Sequence, residues 1–187
     1  MMNRREALSR VALIMGGTVL GAEAFLAGCT TGAPGLNFSK SDIAFLNEIA
    51  ETIMPATNTP GAKEAKVGEF MTVIVNDCYE AKDQTAFMEG LKKLNEACTK
   101  AINKSFMDAT SAERNTFLTA LDKEAAAFQK TKKPTEQKHY FTMFKELTLW
   151  GFFSSEVGAT KVLRYIAVPG KYEGSIPYKK GDKAWAT

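Results

Sequence analysis

One histidine and three cysteines are the whole supply of soft metal ligands in 187 residues, and they are scattered as Cys29, Cys78, Cys98 and His139. Without C-x-x-C-H there is no covalent c-type haem, and without C-x-x-C pairs there is no zinc or iron–sulfur framework. No G-x-G-x-x-G follows a strand pattern, the one glycine cluster (Gly16, Gly17, Gly21) lies near the N-terminus, and there is no Walker sequence, so no nucleotide cradle is visible. A lone histidine just before Tyr140 on an aromatic helix is better explained as a structural residue than as a general acid–base. Glu48 and Glu51 lie one helical turn apart and flank an apolar stripe, which reads as a solvated helix edge rather than an acid–base pair or metal site. Excess charge is scarce too. The net +3 is spread over interspersed acids and bases, which excludes an electrostatic case for nucleic acid. The chain is expected to hold no catalytic residue, cofactor site or metal site of its own.

What is present begins with Arg4 and Arg5 in a charged stretch, followed by apolar residues from Val11 to Ala22 that are diluted by glycine and threonine. This is the layout of a signal peptide. It is too short, and too soon followed by Glu23, to span a bilayer, which needs about 20 apolar residues. Asn3-Arg4-Arg5-Glu6-Ala7-Leu8 resembles the twin-arginine export motif, with Ala7 where phenylalanine is common. The ending Leu26-Ala27-Gly28-Cys29 resembles a bacterial lipobox, in which cleavage leaves Cys29 first and its sulfur takes a diacylglycerol. At about 0.8 kcal/mol per buried methylene, several acyl chains at Cys29 hold a protein on a membrane. Residues 1–28 are thus assigned as signal, 29–38 as a tether rich in Gly and Pro, and 39–187 as one domain. The expected location is the bacterial cell envelope, lipid-anchored in the periplasm.

Beyond the tether the periodicity is helical. Ser41 is the expected cap of a helix with the stripe Ile43, Leu46, Ile49, Ala50 and Ile53, stopped by Pro55. Val67, Phe70, Met71, Ile74, Val75 and Cys78 form a second stripe, and Phe87, Leu91, Leu94, Cys98, Ala101 and Ile102 a third. The short gap near Lys82 predicts an antiparallel hairpin between them. In that hairpin Cys98 lies roughly 18 Å past the point facing Cys78, at 1.5 Å per residue. A disulfide needs alpha carbons within about 7 Å, so the two thiols are expected as small buried hydrophobes, a link to another chain being the alternative. Thr110 and Glu113 form a capping box for a segment carrying Phe117, Leu118, Leu121, Ala125 and Phe128.

A further helix is expected from Thr135, with Tyr140, Phe141, Phe144 and Leu147 on one face. There the pattern breaks. Trp150, Phe152 and Phe153 would point in scattered directions, and Gly151 offers a place to bend. Either the core is thickly aromatic or a second surface is buried against another protein. A short helix over Glu156–Tyr165 is followed by a tail with Tyr172, Tyr178 and Trp185. A disordered tail would be poor in aromatics, so this one reads as an ordered, extended arm lying on its own domain or on a partner. The fold class is all-α, a single helical domain of about five to six helices with an aromatic C-terminal arm.

Thr52-Ile53-Met54-Pro55-Ala56-Thr57-Asn58-Thr59-Pro60-Gly61-Ala62, Lys145 to Gly151, Glu156-Val157-Gly158-Ala159, Val168-Pro169-Gly170 and Tyr178 to Trp185 resemble the gluconate 2-dehydrogenase subunit 3 family. The resemblance implies a non-catalytic small subunit of a periplasmic sugar or sugar-acid dehydrogenase whose large, FAD-containing subunit is of the glucose–methanol–choline type. It further implies that this chain carries the export signal for the complex, helps the flavoprotein mature and stays bound to it, with a c-type cytochrome as a third chain carrying haem. The lipobox departs from many relatives and points to anchoring through Cys29. Trp150, Phe152, Phe153, Tyr172, Tyr178 and Trp185 are the nominated partner-binding residues. The residues themselves leave a second class open, a free-standing envelope lipoprotein acting as a binding or scaffold module.

Overall fold

Ser39 opens the first helix of the computed structural model, which describes residues 35–186. Its hydroxyl accepts from the Asp42 amide while the Asp42 carboxylate accepts from the Ser39 amide at 2.9 Å, a complete capping box. The cap is therefore Ser39 and not Ser41, whose hydroxyl only bonds that of Ser39. Arg4, Arg5 and Cys29, with the signal peptide and most of the tether, lie outside the described residues.

Among the described residues there are five α-helices and one π-helical turn: α1 (Lys40–Ile53), α2 (Val67–Cys78), α3 (Ala81–Ile102), α4 (Ser111–Thr131), α5 (Tyr140–Ser154) and the π turn (Gly158–Val162). No strand occurs among them, only an isolated bridge between Arg164 and Trp185. The all-α expectation holds, and residues from Leu36 onward form one compact unit. Leu36 and Phe38 already pack on the core, Phe38 edge-on to Phe87 at 6.2 Å, so the end of the stretch assigned as tether is built into the domain.

The break in the expected pattern at residues 140–153 follows from the central position of α5. It packs against all four other helices and the π turn. Phe141, Met143, Phe144, Leu147, Thr148, Gly151 and Phe152 are buried on it. A helix surrounded by others is apolar on several faces, so it shows no single stripe. The hydroxyl of buried Thr148 donates to the Phe144 carbonyl at 2.7 Å, which satisfies it without an outside partner. Helices α2 and α3 are joined by a two-residue turn but lean on α5 more than on each other, so the expected hairpin is not the packing unit.

Gly151 does not bend the helix, which runs unbroken to Ser154. A Cβ there would stand 2.5 Å from Phe70 Cδ1, so the missing side chain lets α2 and α5 approach closely. Helix α5 starts at Tyr140 rather than Thr135. His139 caps it, with Nδ1 accepting from the Phe141 amide at 3.3 Å. The expected helix over Glu156–Tyr165 is helical at residues 156–162, of π type from Gly158, and stops three residues early. Cys98 is buried as expected, Cys78 is exposed at the end of α2, and both are free thiols.

Candidate docking surface

Three features lie around the first turns of α2. The first is the loop between α1 and α2, which Glu51 holds from the last turn of α1. One carboxylate oxygen accepts from the Ala56 amide at 2.9 Å, and the other accepts from the Lys63 amide at 2.8 Å. The Ala62 amide closes the base by donating to the Met54 carbonyl at 2.9 Å. Gly61 lies so close that a Cβ would fall 2.3 Å from Glu51 Oε1 and 2.5 Å from the Ala56 nitrogen. A side chain at position 61 would break the clasp.

Glu48, one turn earlier, is also structural. It pairs with both Arg114 and Lys63. The Arg114 Nε–H donates to the Phe106 carbonyl and Nη2 to the Met107 carbonyl, each at 2.7 Å. Phe106, fully buried in the loop before α4, is thereby pinned, and its amide donates to Asn95 Oδ1 at 3.0 Å. The solvated-edge expectation for Glu48 and Glu51 is thus corrected. Their partners lie on other elements, 66 residues away in the case of Arg114, so local spacing carried no sign of them.

The second feature is an exposed apolar patch at the end of α5. Trp150 is 53% exposed and Phe153 38%, and Leu149 beside them is also exposed. Residues 149, 150 and 153 share one side of the helix. Trp150 meets Phe70 of α2 edge-on at 5.3 Å, and exposed Val73 follows one turn on. Phe152 points the other way. At 1% exposure it belongs to the core and leaves the nominated set.

The third feature is the C-terminal arm, which is a loop closed at its base. The Arg164 amide donates to the Ala184 carbonyl at 2.8 Å, and the Ala186 amide to the Arg164 carbonyl at 3.0 Å. The Arg164 guanidinium lies over the Trp185 ring, 3.8 Å from its centroid. Lys183 Nζ donates to the Lys161 carbonyl at 2.5 Å, and Lys161 in turn pairs with Glu64 at 2.6 Å, just before α2. Between the two ends, Tyr172 is 95% exposed and Tyr178 76%. The arm is therefore fixed to its own domain at its base and stands exposed between its ends. Trp185 closes the loop on Arg164 and is still 43% exposed, so it serves the clasp and stays on the candidate surface.

His139 has a structural environment. It stacks on Tyr140 at 4.4 Å, and burial lowers its pKa from the ordinary 6.5 against the opposing pull of Glu124. Tyr140 is pushed up to about 12, first by burial and then by Glu124. A hollow of about 530 Å³ between the α2–α3 turn and residues 132–138 is lined by Lys82, Lys132 and Lys138 together with Asp83, Glu136 and Glu146. Its charges are of both signs, and Lys138 and Glu146 pair with each other at 2.8 Å. Among the described residues no group of three or more His, Cys, Asp or Glu is placed to hold a metal ion, and no helix is long and apolar enough to cross a membrane.

Fold and surface together define an all-helical domain with an outward aromatic display at one helix end and on a clasped loop. The family model described as Gluconate 2-dehydrogenase subunit 3 matches residues 40–170, more than half of the chain, and the chain belongs to that family. No curated protein and no solved structure matches it. The family match ends at Gly170, inside the arm, short of the Tyr178–Trp185 segment.

Proposed function

We propose that this chain is the non-catalytic small subunit of a periplasmic FAD-dependent sugar or sugar-acid dehydrogenase of the glucose–methanol–choline type. It binds the flavoprotein subunit, supports its maturation, carries it through the twin-arginine route on Arg4 and Arg5, and keeps it at the membrane through lipid on Cys29. FAD belongs to the large subunit and haem to a c-type cytochrome, a third chain. Family membership carries the proposal, because the name of the family is that of a dehydrogenase subunit. The exposed aromatics of α5 and the arm support it, since tyrosine and tryptophan are the residues that anchor interfaces.

Twin-arginine transport gives the reason for the arrangement. An all-helical domain without a cofactor has little need of a route for folded cargo, whereas a flavoprotein folds around its FAD before export. Replacing Arg4 and Arg5 by lysine is expected to leave the flavoprotein in the cytoplasm, detected by cell fractionation and flavin fluorescence. Flavoprotein reaching the periplasm at the normal level would overturn the export role.

A further inference from the structure

We propose that the clasped loop Tyr165–Ala184 is a preformed hook by which this subunit selects its own dehydrogenase partner, its tyrosines entering an apolar cleft rimmed by carboxylates on the larger subunit. The inference rests on reading the chain as an accessory subunit and adds the element that recognises the partner and the chemistry it seeks.

The clasp is the first ground. Two backbone hydrogen bonds and the Arg164–Trp185 stack bring the ends of the loop together. Pro169 and Pro177 restrict the chain between them, and a turn at Lys179–Asp182 is closed by the Asp182 amide on the Lys179 carbonyl at 3.0 Å and the Asp182 carboxylate on the Lys179 amide at 2.9 Å. Conformational freedom that would otherwise be lost on binding is already restricted, which is what preorganisation contributes to affinity. Compact surface loops normally pack their own side chains inward. Here Tyr172 and Tyr178 project outward instead, with Val168 exposed as well. The ordered backbone serves to present these side chains.

Charge is the second ground. The loop carries Lys171, Lys179, Lys180 and Lys183 against Glu173 and Asp182, a net of two positive charges around the tyrosines. A basic rim of this kind steers an acidic partner and sets specificity more than raw affinity. An anionic membrane would also attract lysines, and tyrosine sits readily at a membrane interface, but this loop is no amphipathic helix and sets Glu173 and Asp182 among its tyrosines, which an anionic surface repels. An extended loop of tyrosines interspersed with carboxylates suits a protein cleft. The family match covers α1 to α5 and ends at Gly170, inside the hook.

The full chain, affinity-purified in mild detergent from its own cells, gives the test, with recovered flavin per chain as the readout. Against wild type, Tyr172→Ala/Tyr178→Ala and Lys179→Glu/Lys180→Glu are each expected to lower recovery by at least about tenfold, the loss typical of interface anchors. Both should leave the thermal unfolding curve unchanged, because neither pair touches the core. Trp185→Ala should weaken binding, and Trp185→Phe, which keeps a ring under Arg164, should restore it. If wild type brings down flavoprotein and the hook variants bring down as much, the hook assignment is wrong while the accessory role stands. If wild type brings down none, the accessory role itself falls, and the hook assignment with it. Vesicles of phosphatidylcholine with phosphatidylglycerol form the other arm. Binding to them that is lost in the same variants, with flavoprotein recovery intact, would make the loop a membrane contact and overturn the proposal.

Discussion

Gly151 shows what single residues decide in this protein. With Phe70 Cδ1 only 2.5 Å from where its Cβ would stand, Gly151→Ala must displace the Phe70 ring, which breaks its edge-on contact with Trp150, or push α2 off α5. Overpacking of this kind costs about 1–3 kcal/mol, measurable as a shift in the denaturation midpoint. Unchanged stability would mean that Phe70 swings aside freely. His139 gives a second test through pH. Its folded pKa is lowered by burial, so protonation favours the unfolded chain. Its contribution is complete above the ordinary value of 6.5 and is lost as pH falls through the lowered folded value. His139→Asn, which can still cap α5, should therefore lose less stability than wild type between about pH 7 and pH 5. Residues of this kind were the hardest to read from the chain. Gly151 looked like a bend because a contact between helices leaves no mark on local spacing. Glu48 and Glu51 looked solvated because Arg114 and the Ala56 and Lys63 amides become partners only after the chain folds.

Elements were more legible wherever one face meets the core. The stripes of α2, α3 and α4 bury Met71 and Val75, Phe87, Leu91 and Leu94, and Phe117, Leu118 and Leu121 as their periodicity requires. The Thr110–Glu113 capping box forms as expected, with the Thr110 amide donating to Glu113 at 2.7 Å and the Thr110 hydroxyl accepting from the Glu113 amide at 3.3 Å. Thr110→Ala should cost about 1 kcal/mol, while Thr110→Ser should cost little; equal losses in chemical denaturation would show that the cap hydroxyl is idle. Periodicity failed for α5, which is apolar on several faces because it is central, and for the π turn, whose backbone pattern has no sequence signature comparable to a stripe. Phe106 escaped notice because it is buried from a loop, held by Asn95 and Arg114 rather than by a helical position.

For the whole molecule, helical patterning sufficed to give the all-α class, and the end of the helical pattern marked where the arm begins. Its course depends on Arg164 meeting Trp185 across 21 residues, a pairing that neither residue announces alone. With Phe152 returned to the core, the candidate residues are Trp150 and Phe153 with Leu149 on α5, and Tyr172, Tyr178 and the clasping Trp185 on the loop. In the proposed function this surface is covered by the flavoprotein subunit of a dehydrogenase. The most direct test is purification of the full chain in mild detergent, followed by size-exclusion chromatography monitored for flavin absorbance. The account predicts a yellow complex in which this chain co-elutes with a larger flavoprotein; a colourless chain eluting alone would contradict it.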